Sequence, residues 1–239
     1  MNITLIGYGT MGKAIETIAV QRGHNISLII DVDNRDTFTR ENLQQSQVAI
    51  EFTNPLSAAE NVMRCLYSDI PVVSGSTGWY SKLDEAKSLC LARSGAMLCA
   101  SNFSLGMNIF FEVNRTLARL MRKFPDYKAR IEETHHTRKL DTPSGTAITL
   151  AEGILDEIPA LTRWELDGEA EDVLPIHAIR EGDIPGTHKV KYASAIDDIE
   201  IVHTAHSRQG FALGAVLAAE YISNKKGIFT MKNLLGLKN

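Results

Sequence analysis

Cysteine is scarce: Cys65, Cys90 and Cys99 are the only three in 239 residues. They form no C-x-x-C pair and fit a reducing compartment. Each reads as a packed core thiol, with no neighbours to support a cysteine nucleophile. Positive charge is not in excess either. Against 29 acidic residues stand 25 Lys and Arg, a net charge of -4, so a nucleic-acid or membrane-surface role gains no support. No apolar run approaches the ~20 residues needed to span a bilayer. The opening "MNITLIGYGTMGK" has no basic segment before its apolar run, so it reads as a first strand rather than a signal peptide, and the cytoplasm is the expected location. G-x-x-x-x-G-K-[ST] is absent, which excludes a P-loop. There is no internal repeat and no low-complexity segment.

What is present is an alternation of strands and helices. "NITLI" (Asn2–Ile6) is a β-branched run ending at Gly7. "GYGTMG" then sets Gly7, Gly9 and Gly12 in G-x-G-x-x-G spacing, before a helical pattern through Ile15, Ile18 and Ala19. "NISLIID" is the next strand and ends in Asp31. The order strand, glycines, helix, strand, acid is that of a dinucleotide site. One glycine gives the tight turn, the second admits a pyrophosphate, and the third lets the helix pack on the strand. Tyr8, Thr10 and Met11 lie in this loop, and Asp31 falls where a carboxylate would accept from ribose hydroxyls. "QVAIEFT", "IPVVSGST" and "AMLCASNF" continue as strands, separated by the helices "SAAENVMRCLYS" and "KLDEAKSLCLARSG", the second with a glycine cap. This pattern implies a parallel sheet covered on both faces, with ligands beyond its carboxyl ends. Two polar strand ends there, Gly75, Ser76 and Thr77, and Ala100, Ser101, Asn102 and Phe103, are candidate contacts for the nicotinamide half.

From Leu105 the pattern changes to a long amphipathic helix and then strands without long helices between them. That suggests a second domain with an antiparallel or mixed sheet. Within it stands "HHTRKLDTPSGTA" (residues 135–147). Pro143, Ser144, Gly145 and Thr146 turn the chain into a helix whose first N–H groups form an anion site, worth ~0.3–2 kcal/mol for a carboxylate. His135, His136, Arg138 and Lys139 precede it. Together they can neutralise a small multiply charged acid, and His135 and Lys139 can donate protons. His203 and His206 are the other candidates for a metal, but strand alternation sets them on opposite faces, and no metal is expected. Arg180, His188 and Arg208 read as salt-bridge or strand-edge residues.

The stretch "EETHHTRKLDTPSGTA" resembles the signature E-x-H-H-x-x-K-x-D-x-P-S-G-T-A of the 4-hydroxy-tetrahydrodipicolinate (dihydrodipicolinate) reductase family. "EFTNP", "VVSGSTGW", "ASNFSLGMN", "IREGDIPGTH" and "IVHTAHSRQGFALGAV" extend the resemblance over nearly the whole chain. It implies an α/β protein with a Rossmann-type dinucleotide-binding domain (residues 1–103 and 208–239). An α+β substrate-binding and oligomerisation domain with a mixed sheet (104–207) completes it. It also implies reduction of a cyclic dicarboxylate with NADH or NADPH and loss of water, in lysine and diaminopimelate synthesis, by a homotetramer. His135 would be the proton donor and acceptor and Lys139 a proton donor. His136, Ser144, Gly145 and Thr146 would bind substrate. Two features depart from the family. "GYGTMG" is one residue shorter than the usual loop and lacks its arginine, and the segment from Asp31 to Val48 reads as a trimmed loop. Asp31, with Val32 and Asp33 after it, favours NADH over NADPH. Two other readings stay open at this point: a different Rossmann oxidoreductase of a small carboxylate, and a non-catalytic dinucleotide sensor.

Overall fold

The structure, a computed structural model, describes residues 1–207 and 209–237. The chain divides into two compact units, Met1–Leu105 with Gln209–Asn239, and Gly106–Arg208. Arg208, one of the residues read as a salt-bridge former, lies outside the described residues.

The first unit begins β1 (Asn2–Ile6), α1 (Thr10–Gln21), β2 (Asn25–Ile30), α2 (Arg40–Leu43), β3 (Val48–Glu51), α3 (Pro55–Tyr67), β4 (Val72–Ser74), α4 (Leu83–Ala92) and β5 (Ala96–Cys99). Local chemistry sets several of these boundaries. Asn54 caps α3 by accepting from the Leu56 and Ser57 N–H groups at 3.0 and 3.2 Å, and Pro55 occupies the first turn, where its missing N–H costs nothing. The glycine cap expected after α4 is not where the chain turns. Ser94 takes the left-handed conformation, φ +50. Gly95 is instead pressed into packing, since a Cβ there would meet Leu66 at 3.3 Å. The segment after Asp31, expected as a trimmed loop, forms a short 3-10 helix (Val32–Thr37) and then α2.

The second unit runs through α5 (Leu105–Met121), β6 (Lys128–His135), α6 (Gly145–Leu155), β7 (Arg163–Leu166), β8 (Val173–Arg180), β9 (Thr187–Ala193) and β10 (Asp198–Thr204). Its sheet is mixed, in the order β10-β9-β6-β8-β7. β9 runs antiparallel to both β10 and β6, while β6, β8 and β7 are parallel. Met107, Phe110, Ala118 and Met121 of α5 and Ala147, Leu150, Ala151 and Ile154 of α6 pack on Ile131, Leu174, Ile176, Val190 and Tyr192. β7 is the strand the sequence did not reveal. "RWEL" is an edge strand of four residues, too short to display a period.

The chain then returns to the first unit through α7 (Gln209–Ile222), β11 (Gly227–Phe229) and α8 (Met231–Leu234). The C-terminal segment therefore supplies a strand. It completes a six-stranded sheet in the order β11-β5-β4-β3-β1-β2, in which every pairing is parallel. α1 and α7 pack on one face, through Ile15, Ala19, Ala212, Ala215 and Ala219. α3 and α4 pack on the other, through Val62, Cys65, Ala86 and Cys90. Parallel strands buried on both faces explain the near-continuous apolar runs. Cys65 and Cys90 are fully buried and Cys99 partly so. Burial pushes the Cys99 thiol up to about 12 and raises the other two, so none is a thiolate nucleophile at neutral pH. No helix among the described residues is long and apolar enough to cross a membrane.

Candidate active site

In the first unit the expected dinucleotide residues lie at the carboxyl ends of the strands. Gly7 has φ +92, and a Cβ there would lie 2.1 Å from the Phe52 carbonyl oxygen. A Cβ on Gly12 would lie 2.2 Å from the Gly7 carbonyl oxygen, whereas one on Gly9 would meet nothing within 4 Å. Two glycines thus close the turn between β1 and α1, and the third leaves open space before the helix. Gly9 caps α1 without a side-chain hydrogen bond, and no acid lies in the first turn. The free N–H groups of that turn and the positive helix end fit a pyrophosphate. Thr10 is exposed beside it, Met11 packs toward the core, and the Tyr8 hydroxyl donates to Glu16. Asp31 follows β2. Its Oδ1 accepts from the Val32 N–H at 2.9 Å, and its own N–H donates to Asn34 Oδ1 at 2.7 Å. The Asp31 side chain also accepts from the Asn34 backbone N–H, which completes a capping box and fixes the carboxylate at the end of β2.

The two polar strand ends are more constrained than the sequence suggested. Glu51, fully buried at the end of β3, accepts from the Thr53 N–H (3.0 Å) and from the hydroxyls of Ser74 (2.6 Å) and Ser76 (2.8 Å). Trp79 is buried and donates from Nε1 to the Ser76 carbonyl oxygen at 2.9 Å. The Phe103 ring lies in the core, 5.6 Å from the Phe52 ring. The Ser76 and Phe103 side chains are therefore committed to the protein, and only their backbone groups can serve a ligand. Thr77 and Ser101 are exposed, and Gly75, Ala100 and Asn102 are half-buried. Nothing in the sequence marked Glu51 beyond one acid in an apolar strand.

In the second unit, strand register gathers the polar residues. β6 places Ile131, Glu133 and His135 on the face covered by the helices. Cross-strand pairing sets His188 of β9 opposite Glu133 and Arg180 of β8 opposite His135. Glu133 is 0% exposed, His135 7% and His188 4%. Glu133 Oε1 accepts from the Ser144 N–H and from Arg180 Nη2, both at 3.0 Å. Arg180 also donates to the Asp141 carbonyl oxygen (2.8 Å) and the Thr142 hydroxyl (3.0 Å), tying the turn before α6 to β8. Ser144 caps α6 by accepting from the Ala147 N–H at 3.1 Å and lies 3.2 Å from His188 Nε2. The Gly145 and Thr146 N–H groups, in the first helical turn, have no partner inside the helix. Gly145 is exposed, and no atom lies within 4 Å of where its Cβ would be. Lys139 Nζ donates to both oxygens of Asp141 at 2.8 Å, and the His136 N–H donates to the Ile184 carbonyl oxygen at 2.8 Å. Arg138 pairs with Asp183 at 2.6 Å in the open, at 72% exposure.

Glu133, His135 and His188 each bring one ligand-type atom within 4.8 Å of the others, a grouping that His203 and His206 do not join among the described residues. The Arg180 guanidinium on the same carboxylate makes this a poor cation site. The sequence missed His188 and Arg180 as members because only register unites them with β6. Glu133 stood in the signature two residues before His135, and that spacing was the available signal.

Burial lowers the His135 pKa, with Lys139 and Arg180 adding to the effect and Glu133 opposing it. Burial, joined by the charge of His135, holds His188 down to about 4. Burial works against the Glu133 carboxylate, but hydrogen bonds from Ser144 and Arg180 outweigh it and keep it below its ordinary range. For His188 the consequence is a pH-dependent stability. The unfolded chain takes up a proton near ~6.5, while the folded chain resists until about 4. Between these values the unfolded state binds more protons, so stability falls as pH drops, by on the order of 3 kcal/mol in all from this group. Urea midpoints across this window should show that decline, and His188→Asn should flatten it. An unchanged slope in the variant would assign the acid lability to other groups.

Residues 1–103 match the family described as "Dihydrodipicolinate reductase, N-terminus", and residues 106–235 match "Dihydrodipicolinate reductase, C-terminus". A 4-hydroxy-tetrahydrodipicolinate reductase of Christiangramia forsetii is 53% identical over 98% of this chain and 98% of its own length. One from Alkaliphilus metalliredigens is 34% identical over 96% of each. Among solved structures, a dipicolinate-bound dihydrodipicolinate reductase from a Paenisporosarcina species superposes with a TM-score of 0.77 at 19% identity, covering 96% of this chain and 97% of that one.

Proposed function

The chain belongs to the dihydrodipicolinate reductase family, and from that premise we propose how its residues divide the work. The reaction is the NAD(P)H-dependent reduction of 4-hydroxy-tetrahydrodipicolinate to tetrahydrodipicolinate, with loss of water, in lysine and diaminopimelate biosynthesis. The observation that carries the assignment of roles is the second unit's anion site. Open N–H groups at the start of α6 adjoin a buried His–Glu–His cluster through Ser144, and Lys139 lies shortly before them in sequence. Gly145 and Thr146 donate from their backbones to one substrate carboxylate, and His136 and Lys139 offset the remaining charge. Ser144, with its hydroxyl engaged by Ala147 and His188, holds the helix start rather than touching substrate. The bound dihydronicotinamide supplies the hydride. His135 and Lys139 supply the proton that quenches the resulting anion, each contribution being worth a few kcal/mol. The enzyme works in the cytoplasm as a homotetramer joined through the second unit's sheet, on the face turned away from α5 and α6. Lys189–Glu132 (2.6 Å) and Lys191–Glu200 (3.1 Å) pairs alternate there with exposed Val202 and Ile179. The activity is tested by supplying substrate through the preceding synthase and following NAD(P)H absorbance. Oxidation that requires both the synthase product and this protein is expected, and its absence would refute the reading.

NADH is the preferred cofactor. The Asp31 carboxylate accepts from a ribose 2′-hydroxyl, whereas a 2′-phosphate would meet a like charge. At ~4 Å that repulsion is about 4 kcal/mol per charge pair at an effective dielectric near ~20, and less where solvent screens it. Arg35 is near enough in sequence to soften the penalty, so some NADPH activity remains. Asp31→Ser should shift kcat/KM toward NADPH, and added salt should narrow the wild-type gap. A wild-type preference for NADPH at low and moderate salt would remove Asp31 from this position.

A further inference from the structure

The signature contains a second acid to which the chemistry above gives no task. Glu133 is completely buried, and a carboxylate is costly to bury unless every lone pair is used. Its Oε1 is accounted for by Ser144 and Arg180. Its Oε2 has no hydrogen bond, and neither does His135 Nδ1, although both atoms are shielded from solvent. They face each other at 3.4 Å. The other neighbour of Oε2, His188 Nε2, is farther, at 3.7 Å, and already meets the Ser144 hydroxyl. Two orphaned atoms of complementary chemistry are therefore one small closure away from a charge-assisted hydrogen bond. Contacts of this kind are commonly long before substrate arrives.

We propose that Glu133 is a positioning residue for proton transfer. Its Oε2 accepts the Nδ1 proton of His135 and so leaves Nε2 as the nitrogen that exchanges a proton with substrate. This rests on His135 being the proton donor. A second observation concerns Nε2 itself. It lies against Gly186, where a Cβ would come within 3.0 Å, so a position without a side chain keeps that nitrogen uncovered. In the step, the Nε2–H bond of the imidazolium breaks and its proton passes to the substrate anion left by hydride addition. The bonding pair stays on Nε2, and the Nδ1 proton remains directed at Glu133. The charges around the ring are balanced. Arg180 from β8 and Lys139 from the following turn disfavour the imidazolium, while His188 from β9, held down to about 4, stays a neutral ring beside it. Glu133 from within β6, with Asp141 from the turn, favours it. Of the two, Glu133 has an oxygen 3.4 Å from a ring nitrogen, Nδ1.

Glu133→Gln gives a sharp test, because the amide has only one oxygen. The Arg180 and Ser144 donors claim that oxygen, which turns the NH2 group toward Nδ1 and forces Nδ1 to accept. Nitrogen-15 NMR of the ring should therefore find neutral His135 as the Nδ1–H tautomer in the wild type and as the Nε2–H tautomer in the variant. The alkaline limb of kcat/KM should move down by about one pH unit or more, with the Kd for NADH unchanged. Glu133→Asp should partly restore the wild-type limb. An Nε2–H tautomer in the wild-type protein would overturn the proposal, and that measurement stands even if the glutamine variant does not fold. An unchanged tautomer and pH profile in a folded Glu133→Gln protein would overturn it equally. Failure of the underlying reading looks different: His135→Gln would then turn over normally, whatever the tautomer.

Discussion

His135→Gln and Lys139→Ala should each lower kcat by roughly a hundredfold to ten-thousandfold while the Kd for NADH stays near the wild-type value. The two residues stand in the second unit, and the dinucleotide residues in the first, which is why the cofactor affinity should be spared. The variants should differ in stability. Among the described residues Lys139 pairs with the exposed carboxylate of Asp141, and such a pair contributes about 0–1 kcal/mol, so its loss is nearly silent in an unfolding curve. His135 is buried against Glu133, His188 and Gly186, so its replacement should also lower the urea midpoint. A Lys139→Ala protein of normal stability and greatly reduced turnover would isolate the chemical role. Near-normal turnover in both variants would remove them from the chemistry.

Alanine at Gly9 and at Gly12 should separate cofactor binding from folding. The Gly9 backbone, φ -74 and ψ -156, is open to any residue, and no protein atom lies within 4 Å of the new Cβ. Gly9→Ala should therefore unfold like the wild type. Its methyl group, however, enters the space before α1 where the pyrophosphate must approach, and NADH affinity should fall tenfold or more, about 1.4 kcal/mol. Gly12→Ala drives a Cβ to 2.2 Å from a backbone oxygen that cannot rotate away. The helix must move off the strand, at a cost of ~1–3 kcal/mol or more, and binding is lost with it. Calorimetric titration with NADH beside urea unfolding reads both effects. Equal affinity in wild type and Gly9→Ala would place the dinucleotide elsewhere.

The parts legible in the sequence were those with a strong local period. β1, the glycine turn, α1 and Asp31 form one continuous signal, and buried parallel strands announce themselves as apolar runs. Hidden features depended on distant partners. β11 is three residues long and is a strand only because β5 offers its edge. Ser94, not the neighbouring glycine, takes the left-handed turn because Gly95 is needed for close packing against Leu66. The same holds for the site. Residues 135–147 could be read as an anion turn with proton donors beside it. That Ser144 would be engaged by His188, and Glu133 by Arg180, follows from the register of β6 with β8 and β9, which no local pattern encodes. Phe103 looked like a loop residue because its neighbours are small and polar, yet its ring completes the core beside Phe52.

The central claim is that this chain moves a hydride to a cyclic dicarboxylate and supplies the accompanying proton itself. The most direct measurement uses NADH deuterated at C4 on both faces of the nicotinamide, substrate made in place by the preceding synthase, and mass spectrometry of the product. Tetrahydrodipicolinate carrying a single cofactor deuteron is expected, formed readily by the wild-type protein and only slowly by His135→Gln. A protein that binds NADH with normal affinity yet leaves the product pool unlabelled would contradict the account and return the chain to the class of dinucleotide sensors.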